Sequence, residues 1–455
     1  MSKKADKDIY PLYEAGERGL KAYFNLLAAT VSVQAQMLEA FAPATLLPEI
    51  YKDTAKKLEA TSGVLEQLGK DYPKPAFAIK ETVIDGKTAD VTEERVLKKD
   101  FCDVLHFKRD TTRNDPKVLI VAAMSGHHAT QFRDTITALL PNHDVYIVAW
   151  KNARDVPLAK GDFGFDDYVT HVEAAIQAVG PDTHVMAVSQ STVPVLAAAA
   201  LLAAKKSPVK PLSMTLMGGP IDTRAAKTSV TEFVKGKDVQ WFADHLIVEV
   251  PKNYAGAGRA VYPGFLQLAG LLAANPEAHI RAYSDLFNSL SKGDKKKAGE
   301  IKEFYNEYLS VCDLTEKFYL DTISKVFLKQ ELADGTMQVN GEKVAPEKIT
   351  KTVLMTVEGT KDNIVSPGQT RAAHDLCKGL DADSHYHLLQ KDADHYGLFS
   401  GKIWREEIMP RVAHMIRESA AQQGVKYDPM QGTTAAKKWT PPQTKKSRNP
   451  KPPRT

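Results

Sequence analysis

Apolar residues recur at mostly helical spacing over residues 12–41: Leu12, Leu20, Tyr23, Phe24, Leu27, Val31, Met37, Leu38 and Phe41. Residues 46–68 repeat the pattern with Leu47, Ile50, Tyr51, Ala55, Leu58, Val64, Leu65 and Leu68, and Pro43 and Pro48 punctuate the two runs. Two amphipathic helices either pack on the main body of the protein or lie on an apolar surface. The ordinary outcome, and the expectation here, is packing on the protein's own core. After the connector Asp71-Tyr72-Pro73-Lys74-Pro75, the stretch from Phe77 to Phe107 is β-rich, with a hairpin signal at Asp85-Gly86.

Strand and helix patterns then alternate as in a parallel sheet. Strands are expected at 117–123, 144–150, 183–188 and 212–217, with helices at 132–140, 165–179 and 192–205 between them. The alternation stops at Gly218-Gly219-Pro220. Residues 221–349 read mainly as helix (231–246, 263–290, 298–311, 315–332), with a short hairpin over 337–344 around Asn340-Gly341. Strand patterns return at 353–358 and 385–389, and a last helix is expected near 403–419. The division expected is an N-terminal helical segment 1–75, a core in two parts (76–220 and 350–426) separated by an all-helical cap 221–349, and a tail 427–455. The tail is rich in Pro, Lys and Thr and is expected to be disordered.

Composition changes this picture little. The 455 residues are 43% hydrophobic and 25% charged, ordinary for a globular chain. Net charge is +4, but 431–455 carries seven Lys or Arg and no acid, so the body is near −3 and makes no electrostatic case for nucleic acid. Cys102, Cys312 and Cys377 are far apart and form no metal or redox spacing, which fits a reduced, cytoplasmic setting. No secretory signal is read at the N-terminus. The longest apolar run, Val193–Ala204, has 12 residues, too few to cross a bilayer.

The chemistry centres on V-M-A-V-S-Q-S-T-V-P-V, residues 185–195. A buried strand, an abrupt serine and a helix form the nucleophile elbow of the α/β-hydrolase architecture, which holds a hydroxyl above the sheet edge. Small residues are needed two places either side, and here they are Ala187 and Ser191 rather than glycines. Ser191 is the poorer nucleophile, because Val193 would sit at its crowded second position. The architecture calls for an acid and then a histidine after later strands. Strand 353–358 runs into G-T-K-D-N-I-V-S-P with Asp362, and strand 385–389 into D-A-D-H-Y-G with His395. All three fall at carboxyl ends of strands, where open α/β sheets place ligands.

In this arrangement His395 takes the Ser189 proton and later protonates the leaving alkoxide, and Asp362 fixes the imidazole. The oxyanion donors would be the N–H of Gln190 and that of Met124 or Ser125 in the loop after strand 117–123. Plainer readings are a strand-end serine, a turn aspartate and a solvated loop histidine. Glu358 rivals Asp362 but sits in the strand body. His127 and His128 are adjacent, point apart and lack a carboxylate cluster, so neither a metal nor any other cofactor is read. Tyr254, Tyr262 and Phe265 are candidates either for core packing or for lining the cap over an apolar substrate.

Longer strings carry a more specific signal: A-A-M-S-G-H-H-A-T (122–130), L-P-N-H-D-V-Y-I-V-A-W (140–150), G-D-F-G-F-D-D-Y-V (161–169), M-T-L-M-G-G-P-I-D-T-R (214–224), V-Y-P-G-F-L-Q-L (261–268), F-Y-N-E-Y-L-S-V-C-D-L-T-E-K-F-Y-L (304–320) and T-V-E-G-T-K-D-N-I (356–364). Over about residues 10–419 the chain resembles the intracellular poly(3-hydroxybutyrate), or polyhydroxyalkanoate, depolymerases. The resemblance implies hydrolysis of a short-chain (R)-3-hydroxyalkanoate storage polyester at granules in the cytoplasm, with the polymer or granule surface as partner; a homodimer is compatible with it. The family carries cysteine as nucleophile in a C-Q-P-S-like string, where this chain has Ser189-Gln190-Ser191-Thr192. A serine cannot rely on a lowered thiol pKa and must lose its proton to His395 during attack. Two other readings stay open: a carboxylesterase or oligomer hydrolase acting on soluble esters, and a granule-associated protein that has lost catalysis.

Overall fold

The central strands are continuous apolar runs buried on both faces, as a parallel sheet between helix layers requires. The computed structural model describes residues 9–44, 47–274 and 276–431. In chain order the first elements are α1 (Ile9–Phe41), α2 (Pro48–Gly69), β1 (Glu81–Ile84), β2 (Lys87–Lys98), β3 (Cys102–Arg109), β4 (Lys117–Val121), α3 (Arg133–Leu139), β5 (Asp144–Trp150), α4 (Phe165–Val179), β6 (Thr183–Val188), α5 (Thr192–Ala204) and β7 (Ser213–Met217). The chain then leaves the sheet and returns as β13 (Val353–Gly359), α12 (Ala373–Leu376), β14 (His385–Gln390), α13 (Gly401–Ile403) and α14 (Met409–Gln422).

The sheet has nine strands in the order β1-β2-β3-β5-β4-β6-β7-β13-β14. Strands β1 to β3 pair antiparallel, β3 joins β5 antiparallel, and every pair from β5 to β14 is parallel. This is the α/β-hydrolase fold, a mostly parallel sheet flanked by helices. The carboxyl ends of β6, β13 and β14 therefore lie along one edge.

Between β7 and β13 lies an insertion: α6 (Ser229–Val234), α7 (Val239–Leu246), β8 (Val248–Glu249), β9 (Ala260–Tyr262), α8 (Gly264–Ala274), α9 (Pro276–Ser291), α10 (Lys295–Tyr308), β10 (Leu314–Thr315), α11 (Glu316–Thr322), and the hairpin β11 (Gln338–Val339) and β12 (Glu342–Lys343). The expectation of an all-helical cap is corrected here. Strands β10, β9 and β8 form a small antiparallel sheet. Short β-branched runs make it, and Val248, Val250 and Val261 bury a separate core with Tyr10 and Ala153. The long helices expected at 231–246 and 263–290 are each broken. Gly236, at φ +75°, ends the first half of one, and Asp238 caps the next helix by accepting the Trp241 N–H. Pro276 opens the second half of the other.

The N-terminal helices form an antiparallel hairpin whose inner seam is built from small residues, Ala28 and Ala35 of α1 facing Ala55, Ala60 and Ser62 of α2. Tyr10 ties α1 to the insertion, its hydroxyl donating to buried Asp313 Oδ2 at 2.7 Å. The expected packing of this apolar surface on the protein's own core is only partly met. Phe24, Leu27, Val31 and Leu38 are half-buried, but Leu12, Leu20, Tyr23, Met37 and Phe41 face outward. The alanine seam brings the two backbones together and leaves no room for the larger side chains. The start of the tail is also not loose: the Asp428 carboxylate accepts the Asn114 N–H at 2.9 Å and the Tyr427 hydroxyl donates to Asp182 O at 3.2 Å. Residues 432–455 lie outside the described residues.

Burial pushes several histidines down: His127 to about 4, and His128, His143, His184 and His374 to about 3. The folded chain keeps these rings neutral until low pH, whereas the unfolded chain protonates them near 6.5. Their stabilising contribution is thus complete above 6.5 and lost as pH falls toward 3–4, by up to about 1.4 kcal/mol per pH unit for each ring. A melting temperature that holds between pH 7 and 6.5 and falls by several degrees by pH 5 is expected; a flat profile to pH 5 would contradict this account.

Candidate active site

Ser189 follows β6 directly with φ +60°, a left-handed backbone that a non-glycine residue adopts only under constraint. The constraint is visible around it. Ser191 Oγ accepts the Val188 N–H at 3.0 Å and donates to Val121 O at 2.7 Å, tying the elbow to β4. Thr192 Oγ1 donates to Ser189 O at 2.8 Å. Ser191 is buried and fully engaged in holding the turn, so the exposed hydroxyl is that of Ser189. On the β7 side, a Cβ on Gly219 would lie 1.8 Å from Thr192 Oγ1, so only glycine lets the elbow helix approach.

The other two residues arrive from the ends of β13 and β14. His395 Nε2 lies 3.0 Å from Ser189 Oγ, and His395 Nδ1 lies 2.7 Å from Asp362 Oδ2. Asp362 is buried, and its Oδ1 accepts the N–H groups of Ile364 and Val365 at 2.9 Å each. With Nδ1–H donating to the carboxylate, Nε2 is left as an acceptor facing the serine hydroxyl. Gly218, at φ +52°, makes room for the pair: a Cβ there would stand 3.3 Å from Asp362 Oδ2, 3.4 Å from His395 Cε1 and 2.7 Å from Leu398 Cδ1.

Glu358 does not reach the histidine. Its Oε1 accepts the N–H groups of Gly368, Thr370 and Arg371 at 2.8–2.9 Å. One carboxylate thereby gathers the turn that follows Asp362. The role of this residue in holding the loop was not legible from its position in the strand.

The loop after β4 lies against the elbow. The Met124 N–H donates to Gln190 Oε1 at 3.2 Å, whereas the N–H groups of Ser125 and Gln190 make no backbone hydrogen bond among the described residues. The insertion grips the same loop, with the Cys312 N–H donating to Gly126 O at 2.7 Å and His127 Nε2 donating to Tyr308 O at 3.1 Å. His128 Nδ1 lies 3.6 Å from Cys312 Sγ. The two histidines thus brace the loop, and no group of three or more His, Cys, Asp or Glu suited to a metal occurs among the described residues.

Over Ser189 and His395 opens a cavity of about 700 Å³ under the insertion. Its wall is mainly apolar, with Leu266 and Leu271 of α8, Phe318 and Tyr319 of α11, and Tyr262 of β9. Tyr262 stacks on Tyr319 at 4.0 Å between centroids. The other two aromatic candidates lie elsewhere. Tyr254 packs on Tyr10 and Arg154 and donates its hydroxyl to Glu14 at 2.5 Å; Phe265 stacks on Tyr13 at 3.8 Å. Successive residues of α8 point in different directions, so Phe265 faces α1 while Leu266 and Gln267 face the cavity. The Gln267 carboxamide oxygen is enclosed beside Gly126 and has no hydrogen-bond donor. The sequence offered no signal for Gln267, Phe318 or Tyr319. Gly218-Gly219 was legible as a strand end, and its close approach to the site was not.

The sheet order and the strained serine turn define an α/β-hydrolase. Residues 218–420 match the family model described as PHB de-polymerase C-terminus. This stretch is thus similar to the C-terminal part of PHB depolymerases, and the match supports an ester hydrolase. Comparison with curated protein sequences gives no match. Among solved structures the chain is similar to a putative lipase from Acinetobacter baumannii AYE (13% identity, 72% of this chain and 92% of that one, TM-score 0.41). It is also similar to a carboxylesterase structure from the thaumarchaeon Nitrososphaera gargenis (9%, 72% and 99%, 0.42) and to the Paleococcus ferrophilus monoacylglycerol lipase (12%, 68% and 97%, 0.38). Likeness at this level says nothing of substrate.

Replacing Glu358 with Leu removes the acceptor of the buried Thr370 N–H and of the partly buried Gly368 and Arg371 N–H groups, at an expected cost of about 1–3 kcal/mol. Chemical denaturation should show that loss, with turnover of a soluble ester falling alongside. Unchanged stability would contradict the proposed hold on the loop.

Proposed function

We propose that this chain is an intracellular polyhydroxyalkanoate depolymerase that cleaves short-chain (R)-3-hydroxyalkanoate polyester through Ser189, His395 and Asp362. The observation that carries the reading is the continuous contact from Ser189 Oγ through the His395 ring to Asp362, beneath an apolar cavity. In this mechanism Ser189 Oγ attacks the ester carbonyl carbon as its proton passes to His395 Nε2. Asp362 stabilises the imidazolium so formed. The tetrahedral oxyanion is met by the N–H of Gln190 and by an N–H of the Met124–Ser125 loop.

Of the two loop candidates, the Ser125 N–H is open, while that of Met124 must first give up its bond to the Gln190 side chain. The C–O bond to the alcohol half of the polymer then breaks, and His395 returns the proton to that oxygen. Water, deprotonated by the same imidazole, attacks the acyl-enzyme and releases the acid. Tyr262 belongs to the substrate wall in this reading. The largely apolar lining suits a polyester backbone with small alkyl side groups, and no cofactor takes part.

A serine in the place of the family's cysteine makes the 3.0 Å contact to His395 essential, since a hydroxyl is almost wholly protonated at neutral pH. Ser189→Ala should abolish release of 3-hydroxybutyrate from amorphous poly(3-hydroxybutyrate). Asp362→Asn should lower it by about 10³- to 10⁴-fold, because the imidazole loses its fixed tautomer. Release that survives Ser189→Ala would overturn this nucleophile. Cleavage of soluble hydroxybutyrate dimers without any cleavage of polymer would replace the depolymerase reading with that of an oligomer esterase.

A further inference from the structure

Exposed large apolar side chains are concentrated on one element. Of the 20 among the described residues, 13 lie between Ile9 and Leu68. On α1 they form a stripe: Leu12, Tyr23, Leu26, Val33, Met37 and Phe41 share one face, with Leu12 73%, Leu26 68% and Phe41 64% exposed. Beyond Tyr10, the fully buried positions of α1 are the alanines Ala28 and Ala35, while Leu12, Tyr23, Leu26, Met37 and Phe41 stand in water. Leu47, Ile50 and Tyr51 carry the exposed surface past the hairpin bend onto α2. Contiguous exposed apolar side chains of this number on a globular chain mark an interaction surface.

We propose that this face of the hairpin is the surface by which the protein adsorbs to its polymer, with the uncharged polyester body itself as occupant. The proposal rests on the depolymerase reading above. Charge selects the occupant. Residues 22–38 of α1 contain no Asp, Glu, Lys or Arg, and residues 9–69 hold five Lys or Arg against seven Asp or Glu. A net negative hairpin has no basic belt for anionic lipid headgroups, the usual second signal of interfacial helices. Two such hairpins would also meet with like net charge. A neutral, apolar ester surface matches both the stripe and the uncharged run over residues 22–38.

The start of α1 also contacts the insertion that roofs the site. Tyr13 at the start of α1 stacks on Phe265 of α8, and the next residues of α8, Leu266 and Gln267, line the catalytic cavity.

The test uses the full chain and the variant Leu26→Glu/Met37→Glu. Both positions are exposed and distant in sequence from the catalytic residues. Sedimentation with amorphous poly(3-hydroxybutyrate) particles, with phosphatidylglycerol vesicles and alone is measured beside turnover of polymer and of a soluble 3-hydroxybutyrate dimer. The wild type should sediment with polymer at low and high salt and leave the vesicles unbound. The variant should lose polymer binding and polymer turnover by about tenfold or more, with dimer turnover within about twofold of wild type. If the variant's circular dichroism departs from wild type, Tyr23→Ser/Phe41→Ser takes its place. Unchanged polymer binding in the variant would overturn the proposal. So would wild-type binding to vesicles in preference to polymer, or a wild-type dimer that the substitutions dissolve. Wild type that adsorbs through the stripe yet cleaves neither substrate would instead sink the catalytic reading and leave the adsorption surface standing.

Discussion

The left-handed backbone of Ser189 is the constraint from which the rest of the site follows. Such a turn costs about 1–3 kcal/mol and persists only where its surroundings hold it. Here the holding is done by the Ser191 hydroxyl bridging β6 and β4, by Thr192 closing the first turn of α5, and by Gly219 letting that turn approach β7. The return on the strain is a hydroxyl that stands clear of the sheet edge, within 3.0 Å of a ring delivered from the end of β14.

Rigidity then spreads outward through hydrogen bonds to the backbone. Asp362 is fixed by two N–H donors on one oxygen and grips His395 with the other. Glu358, four residues earlier, gathers three more N–H groups of the same loop. The insertion fastens the loop after β4 through Gly126 and His127, so the roof of the cavity is tied directly to the expected oxyanion loop. Positions set by backbone hydrogen bonds suit chemistry that depends on preorganised donors.

Much of this was legible in the chain. Lys117–Val121, Asp144–Trp150 and Thr183–Val188 are short, continuous apolar runs, and such runs bury on both faces in any parallel sheet. Ser189, Asp362 and His395 could be proposed because each follows a strand, and strand ends share an edge. Orientation was less legible. Periodicity located α1 but could not say that alanines would claim the inner seam and leave Leu12, Leu26 and Met37 outside. The same limit applied to Tyr254 and Phe265, whose neighbours Leu266 and Tyr262 reach the cavity instead. Two- and three-residue strands such as β8 and β10 carry too few residues for a period and depend on partners far along the chain.

The central claim is that the Ser189 hydroxyl is activated by His395. Labelling of the intact protein with a fluorophosphonate, followed by peptide mass spectrometry, tests it most directly. Wild type should be labelled at Ser189 and nowhere else, and His395→Ala should lose nearly all of that labelling while retaining its fold. Labelling at another residue, or at Ser189 with equal speed in the His395 variant, would contradict the account.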